Sequence, residues 1–409
     1  MKLRRAAIIV LGLAVLSTPL AARDGSVKAG PHGYIYGTVE TTSDHSYTGL
    51  LRWGTEETFW NDLFNSSKSD LPYLEEHRKE SRRRSRIKIL GITVGYRWDD
   101  YSGSRMFIAR FGDIREIEVF RGEKIKVTMK DGSVYSMNGG SNDVGATVTV
   151  QDDSLGAVKL DWGKIRRVTF KPTPAGLEPP AYRLYGKLTT KEETFEGYIQ
   201  WDIQECVSTD KLDGESDDGD MSIEMGRIRA IEKRNRDGSL IVLKDGREFV
   251  LEDTNDVDSS LRGIHVDDPR FGRVKVSWEA FERVEFQEVD HSGRGYADYP
   301  PAKRLRGRVT DYDDKTHPGE LVFDLDETAG WELLNGSLHD VEYFIPFDML
   351  RSIEPTRDDG AAIVLTTGFE TVLYDGQDVS ESNDGVVVVR ENGRETYFAW
   401  DEIKRVDFE

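Results

Sequence analysis

The chain has 409 residues, of which 32% are charged and 37% hydrophobic, and its formal charge is −20. That length suits about two to four domains, and the acidic balance excludes a generic nucleic-acid binder, whose footprint is basic. Aromatics at 10% exclude a disordered acidic chain, and a single cysteine, Cys206, excludes an intramolecular disulfide.

The first 22 residues read as a secretory signal peptide. Met1-Lys2-Leu3-Arg4-Arg5 is basic, Ala6 to Leu16 is apolar, and Ser17 to Ala22 ends in small residues. The expectation is an exported protein, periplasmic or extracellular, cleaved after Ala22. No cysteine follows the apolar run, so no lipid anchor is expected. No later stretch approaches the ~20 apolar residues of a membrane-spanning helix.

Three stretches then share one order of landmarks. They are repeat one (34–170), repeat two (182–286) and repeat three (303–408). Repeats two and three each follow a stiff Pro-Pro-Ala, at Pro179-Pro180-Ala181 and Pro300-Pro301-Ala302. Each repeat opens on a short strand pattern around Gly37, Gly186 or Gly307. A second strand runs from Gly49 to Trp53, Gly197 to Trp201 or Gly319 to Phe323, and an acid follows in register at Glu57, Glu205 or Glu327. Mid-repeat, the spacing of Phe111, Ile114 and Ile117 predicts strand, single tight turn, strand. The same spacing recurs at Met225-Ile228-Ile231 and Phe347-Leu350-Ile353. Hairpin patterns follow, two of them marked by Asp131-Gly132 and Asp245-Gly246. Next come Asp143, Asp256 and Asp378, each before a valine. The repeats close on Trp162, Trp278 and Trp400, each leading through the same strand-turn-strand spacing to Phe170, Phe286 and Phe408.

Divided at the mid-repeat turn, each repeat gives two halves of four or five short strands with the turn before the last strand. This plan resembles tandem SH3-like or Sm-like small β-barrels, at the level of fold. The resemblance implies an all-β chain of three repeats, each a pair of small barrel units, and carries no activity with it.

Repeat one departs from the others. Ile114 follows Gly49 by 65 residues, whereas Ile228 follows Gly197, and Leu350 follows Gly319, by 31. An insert of about 34 residues therefore occupies roughly 66–105. Leu74 to Leu90 has helix-forming composition and ends before Gly91, and Ile92 to Trp98 returns to strand-like alternation. Arg78, Lys79, Arg82, Arg83, Arg84, Arg86 and Lys88 form a positive cluster in an acidic chain. Such a cluster either holds an anionic partner or docks on the protein's own acidic surface.

Asp213, Glu215, Asp217 and Glu224 fall at positions one, three, five and twelve of an EF-hand-like loop. Asp218 stands where the turn glycine belongs, however, so a polar hairpin tip is the plainer reading. The recurrent Asp143, Asp256 and Asp378, with Glu57, Glu205 and Glu327, read as backbone-capping turn residues. Trp162, Trp278 and Trp400 lie on alternating apolar faces and read as core, and Cys206 reads as a small buried hydrophobe. The histidines form no ligand pair, and no nucleophile elbow, phosphate loop or dinucleotide fingerprint occurs. No catalytic residue and no cofactor is assigned.

The expectation is a non-enzymatic, exported binding or scaffolding protein of the cell envelope. Its partner would be an envelope protein or polysaccharide, not a nucleic acid, and it would not be an integral membrane protein. The alternative is a hydrolase of envelope polymers with carboxylates assembled between repeats.

Overall fold

A computed structural model describes residues 31–68, 71–82, 86–89, 92–96, 105–120, 122–139, 143–152 and 154–409. The stretch read as a signal peptide lies outside them. The described chain is all-β, with two large antiparallel sheets and one α-helix. Among the described residues no helix is long and apolar enough to cross a membrane.

Residues 36–170 form the first sheet. Its strands are β1 (Tyr36–Thr41), β2 (Ser46–Trp53) and β3 (Leu63–Lys68), then, after α1 (Pro72–Arg82) and a separate hairpin of β4 (Arg86–Ile89) and β5 (Ile92–Tyr96), β6 (Arg105–Arg110). They continue as β7 (Ile114–Val119), β8 (Lys124–Met129), β9 (Val134–Asn138), β10 (Val148–Asp152), β11 (Gly156–Leu160) and β12 (Ile165–Phe170). The spatial order is β11-β10-β2-β1-β12-β7-β8-β9-β3-β6. The same pairing order recurs in residues 185–287 and 306–408.

This order corrects the expectation of self-contained barrels. Each half of the chain segment does supply four strands, a tight turn and a fifth strand. Its leading hairpin, however, pairs with the trailing strands of the other half: β2 lies beside β10, and β9 beside β3. The ladders stay open instead of closing into six barrels. The 54–62 connection explains the exchange. Reciprocal hydrogen bonds between Trp53 and Glu57 fold it back, and Asp62 caps the N–H groups of Thr58 and Phe59. The chain therefore leaves the edge of β2 before a third strand can pair there.

Alternation sets the core. Val39, Val168, Ile117 and Val127 face one another across β1, β12, β7 and β8, all fully buried. Leu188, Val284, Ile231 and Ile241 form the matching row in the second segment, and Val309, Val406, Ile353 and Ile363 in the third. Burying each such side chain contributes about 2 kcal/mol. The tight turns before the closing strands are 3₁₀ at Phe111–Asp113, Trp162–Lys164, Met225–Arg227, Phe347–Met349 and Trp400–Glu402. At Trp278 the turn is wider, the Phe281 N–H donating to the Ser277 carbonyl. Trp162, Trp278 and Trp400 are buried, as their alternation predicts.

Segments two and three are continuous, because Gly272–Val276 pairs with Val341–Pro346. Segment one joins them through side chains. Cys206, Val207, Ala329 and Trp331 complete its core. Arg52 pairs with Asp210, Arg273 with Asp62, and Lys68 with Asp326 and Glu332.

Among the described residues the insert is helical over Pro72–Arg82; Arg86–Ile89 alternates isoleucine with basic residues and pairs with Ile92–Tyr96 instead. Period two wins there over helix-forming composition. Leu71 and Leu74 pack on Val322, Leu325 and Val387, and the His77 ring stacks on Tyr397 at 4.9 Å. The helix of segment one thus lies on segment three.

Candidate functional site

The three segments meet around a hollow with two chambers. Leu63, Arg273, Leu333 and Phe344 line both, so they form the partition between them.

The first chamber, of about 860 Å³, is strongly charged. Four of its lining acids, Glu57, Asp324, Glu327 and Asp378, come from one local construction that the chain uses three times; the acid pair of the copy in segment two does not line the chamber. After the second strand of each segment, a tight turn bridges Trp53 to Glu57, Trp201 to Glu205 and Phe323 to Glu327. In segments two and three this turn holds consecutive left-handed residues, Asp202-Ile203 and Asp324-Leu325. A branched side chain such as Ile203 rarely adopts that conformation, so the turn carries strain. The glutamate it delivers meets Asp143, Asp256 or Asp378. Those aspartates cap a strand by accepting the N–H of Asn65 (2.6 Å), Asp213 (2.7 Å) and Asn335 (2.7 Å). The capping role read from their recurrence is therefore present for the aspartates. The glutamates differ: one carboxylate oxygen of Glu57, Glu205 and Glu327 is buried without a hydrogen-bond partner.

Burial, then mutual repulsion, pushes these groups upward. Glu57 and Glu327 stand well above the ordinary carboxylate range. Burial, with Asp256 next to it, raises Glu205 to about 8. Burial lifts Asp143 and Asp378 to about 7 and Asp256 to about 6, each opposed by its capped N–H. Such pairs either share a proton or hold a cation.

The chamber's cations are committed. Lys68 Nζ lies 2.7 Å from Glu332 and 3.0 Å from Asp326. These two acids outweigh the cost of burial and keep the ammonium charged. Arg105 meets Asp324, Asp326 and Asp384. Arg262 grips Asp202, and Lys275 faces Glu342. His265 donates its Nδ1–H to the side-chain oxygen of Gln200 at 2.9 Å, and burial holds it well below its ordinary range, hence neutral. The unanswered valence of this chamber is acidic.

The second chamber, of about 700 Å³, is a cleft with an aromatic wall. Tyr185 and Tyr198 stand edge to face at 5.4 Å, half-exposed, and the Tyr198 hydroxyl is hydrogen-bonded to the exposed His291. Arg183 stacks on the Tyr198 ring at 3.9 Å and fixes it. Tyr299, Phe344, Pro346 and Met349 line the rest, with exposed Arg294 at the rim. The cleft's acids are occupied. Asp267 accepts from Arg183 and Arg273, Asp268 from Arg270 and the Glu196 N–H, and Asp298 from the Gly295 N–H.

The residues singled out from sequence fall elsewhere. Arg78, Lys79 and Arg82 lie on α1 and Arg86 and Lys88 on β4, while Arg83 and Arg84 lie outside the described residues. Asp213 and Glu215 lie on the strand Lys211–Ser216, Asp217 in the following turn, and Glu224 at the end of Gly219–Glu224. Among the described residues these four are not gathered into a three-ligand cluster, whereas the recurrent acids are. The signal available for the latter was the joint recurrence of Glu and Asp in register. For Lys68, Arg105 and the aromatic wall the sequence held no comparable signal. Comparison with known proteins identifies no matching family model, no matching curated protein and no matching solved structure.

Proposed function

We propose that the chain is an exported, non-enzymatic binding protein of the cell envelope. Its three segments would be repeats of one small-β unit, and its partner a polysaccharide segment held in the aromatic cleft. One observation carries this reading. Tyr185 and Tyr198 present ring surface and edge at the mouth of a cleft whose acids are all engaged in ion pairs or caps. Rigid aromatic surface rimmed by polar groups suits sugar rings, and acids already neutralised by arginine or backbone are poorly placed for proton transfer. The basic insert then serves internal docking, because its helix packs on segment three through Leu71 and Leu74.

Calorimetric titration of the mature chain with purified envelope polysaccharides tests this. Saturable binding is expected, weakened about tenfold or more in a Tyr185→Ala/Tyr198→Ala variant. Equal affinity of the double variant, or no binding to any such polymer, refutes the cleft as the site.

A hydrolase is the second reading. It is favoured by Glu327 and Asp378, a carboxyl pair in the wall of the charged chamber. Release of reducing ends from the polymer, abolished by Glu327→Gln, would replace binding with turnover.

A further inference from the structure

We propose that the charged chamber contains a binding site for a hard divalent cation, calcium being the ion it fits, ligated by Asp324, Glu327 and Asp378. One oxygen from each of these carboxylates lies within 4.8 Å of the others. An ion about 2.4 Å from each oxygen spans such a group, and a donor set made only of carboxylate oxygens selects hard cations over zinc or copper.

Two independent observations point to a ligand there. First, one Glu327 oxygen is buried, faces the chamber and has no hydrogen-bond partner. Leaving such an atom unanswered is costly. Asp378 uses only one oxygen to cap Asn335, and Asp324 uses one to accept the Asp384 N–H. The second oxygen of Asp378 is available to an ion, and that of Asp324 makes no hydrogen bond, lying 3.4 Å from Arg105.

Second, the third segment has an unbalanced buried charge that its sibling lacks. In segment two the N–H of Arg262 donates to Asp202 and its guanidinium grips the same carboxylate. The residue whose N–H does this for Asp324 is Asp384, a reversal of charge. Segment one supplies Arg105 in compensation, and Lys68 beside it. These two cations face Asp324, Asp326, Glu327, Glu332, Asp378 and Asp384. A divalent ion bound to one oxygen each of Asp324, Glu327 and Asp378 would neutralise much of the remainder. The adjoining cavity has room for the waters that complete calcium coordination.

The test is calcium titration of the full mature chain at pH 7.5 after chelation, read by equilibrium dialysis and by Tm. Saturable uptake is expected with a rise of about 3 °C at a hundredfold excess over Kd. Both signals should vanish in Glu327→Gln and persist in Glu205→Gln, the sibling position. If Glu327→Gln does not fold, Asp378→Asn, which retains an oxygen to cap Asn335, replaces it. No uptake of calcium, magnesium or manganese by the wild type overturns the proposal, as does undiminished uptake by the variant. In either case the pair is one that shares a proton. Polysaccharide binding in the aromatic cleft is measured separately and stands or falls without this result.

Discussion

Arg105 of segment one lies 3.4 Å from the carboxylate of Asp324 in segment three, occupying the role that Arg262 plays for Asp202 within segment two. The first ion pair is almost fully buried, whereas Arg262 is 41% exposed. The two arginines therefore predict different costs. Arg105→Ala leaves buried carboxylates uncompensated and should destabilise the chain by about 3 kcal/mol or more. Arg262→Ala should cost less, about 1 kcal/mol. The backbone N–H at 262 and the Asn255 amide still hold the buried Asp202 carboxylate, and water can reach the vacated, half-exposed site. Urea denaturation of both variants checks the difference, and equal losses would show that Arg105 holds no special position.

Stability should fall as pH rises through neutrality. A carboxyl whose folded pKa lies above its unfolded value binds more protons when folded, so its contribution is present at low pH and lost as pH rises. Glu205, raised to about 8, and Asp378 and Asp143, at about 7, place the loss between pH 5 and 8. Glu205→Gln should flatten that decline, by on the order of 2 kcal/mol at pH 8. Thermal melts across this range in chelator provide the measurement, and parallel curves for wild type and variant would contradict it.

The helix of the insert should be released by a single charge. Leu74→Asp places a carboxylate against Val322, Leu325 and Val387. Trypsin should then cut within 78–88 at least tenfold faster, while the two sheets remain protected. Unchanged cleavage would mean that the helix is held by other contacts.

Gly112 should not accept a side chain. A Cβ built there would lie 2.5 Å from the ring of Tyr299, which the linker before segment three presses against the first 3₁₀ turn. Gly112→Ala should cost about 2 kcal/mol, and Tyr299→Ala in the same chain should recover part of it. A double-mutant cycle measures this coupling, and strict additivity would argue against the contact.

The places where the sequence was legible share a physical basis. Short-range periodicity dictates which residues face inward, so the cross-strand rows through Val39, Leu188 and Val309 and the buried Trp162, Trp278 and Trp400 follow from alternation. The turn before each closing strand follows from a three-residue spacing. The acid pairs were half legible. Asp143, Asp256 and Asp378 do cap neighbouring strands, but nothing local to Glu57, Glu205 or Glu327 says that each places a buried carboxylate oxygen against an aspartate far along the chain.

By itself the sequence determined the all-β character, the strand-turn-strand closures and their recurrence along the chain, because each depends on neighbours within about ten residues. The tertiary structure decided the rest. Hairpin exchange between half-segments depends on which edge a strand meets, and β2 beside β10 is a pairing across about a hundred residues that alternation alone cannot choose. The charged chamber exists because Lys68 and Arg105 of one segment enter another. The aromatic cleft exists because the linker carrying His291 and Tyr299 crosses the strands that carry Tyr198 and Phe344. Both depend on how whole segments pack, a long-range property that no local pattern encodes.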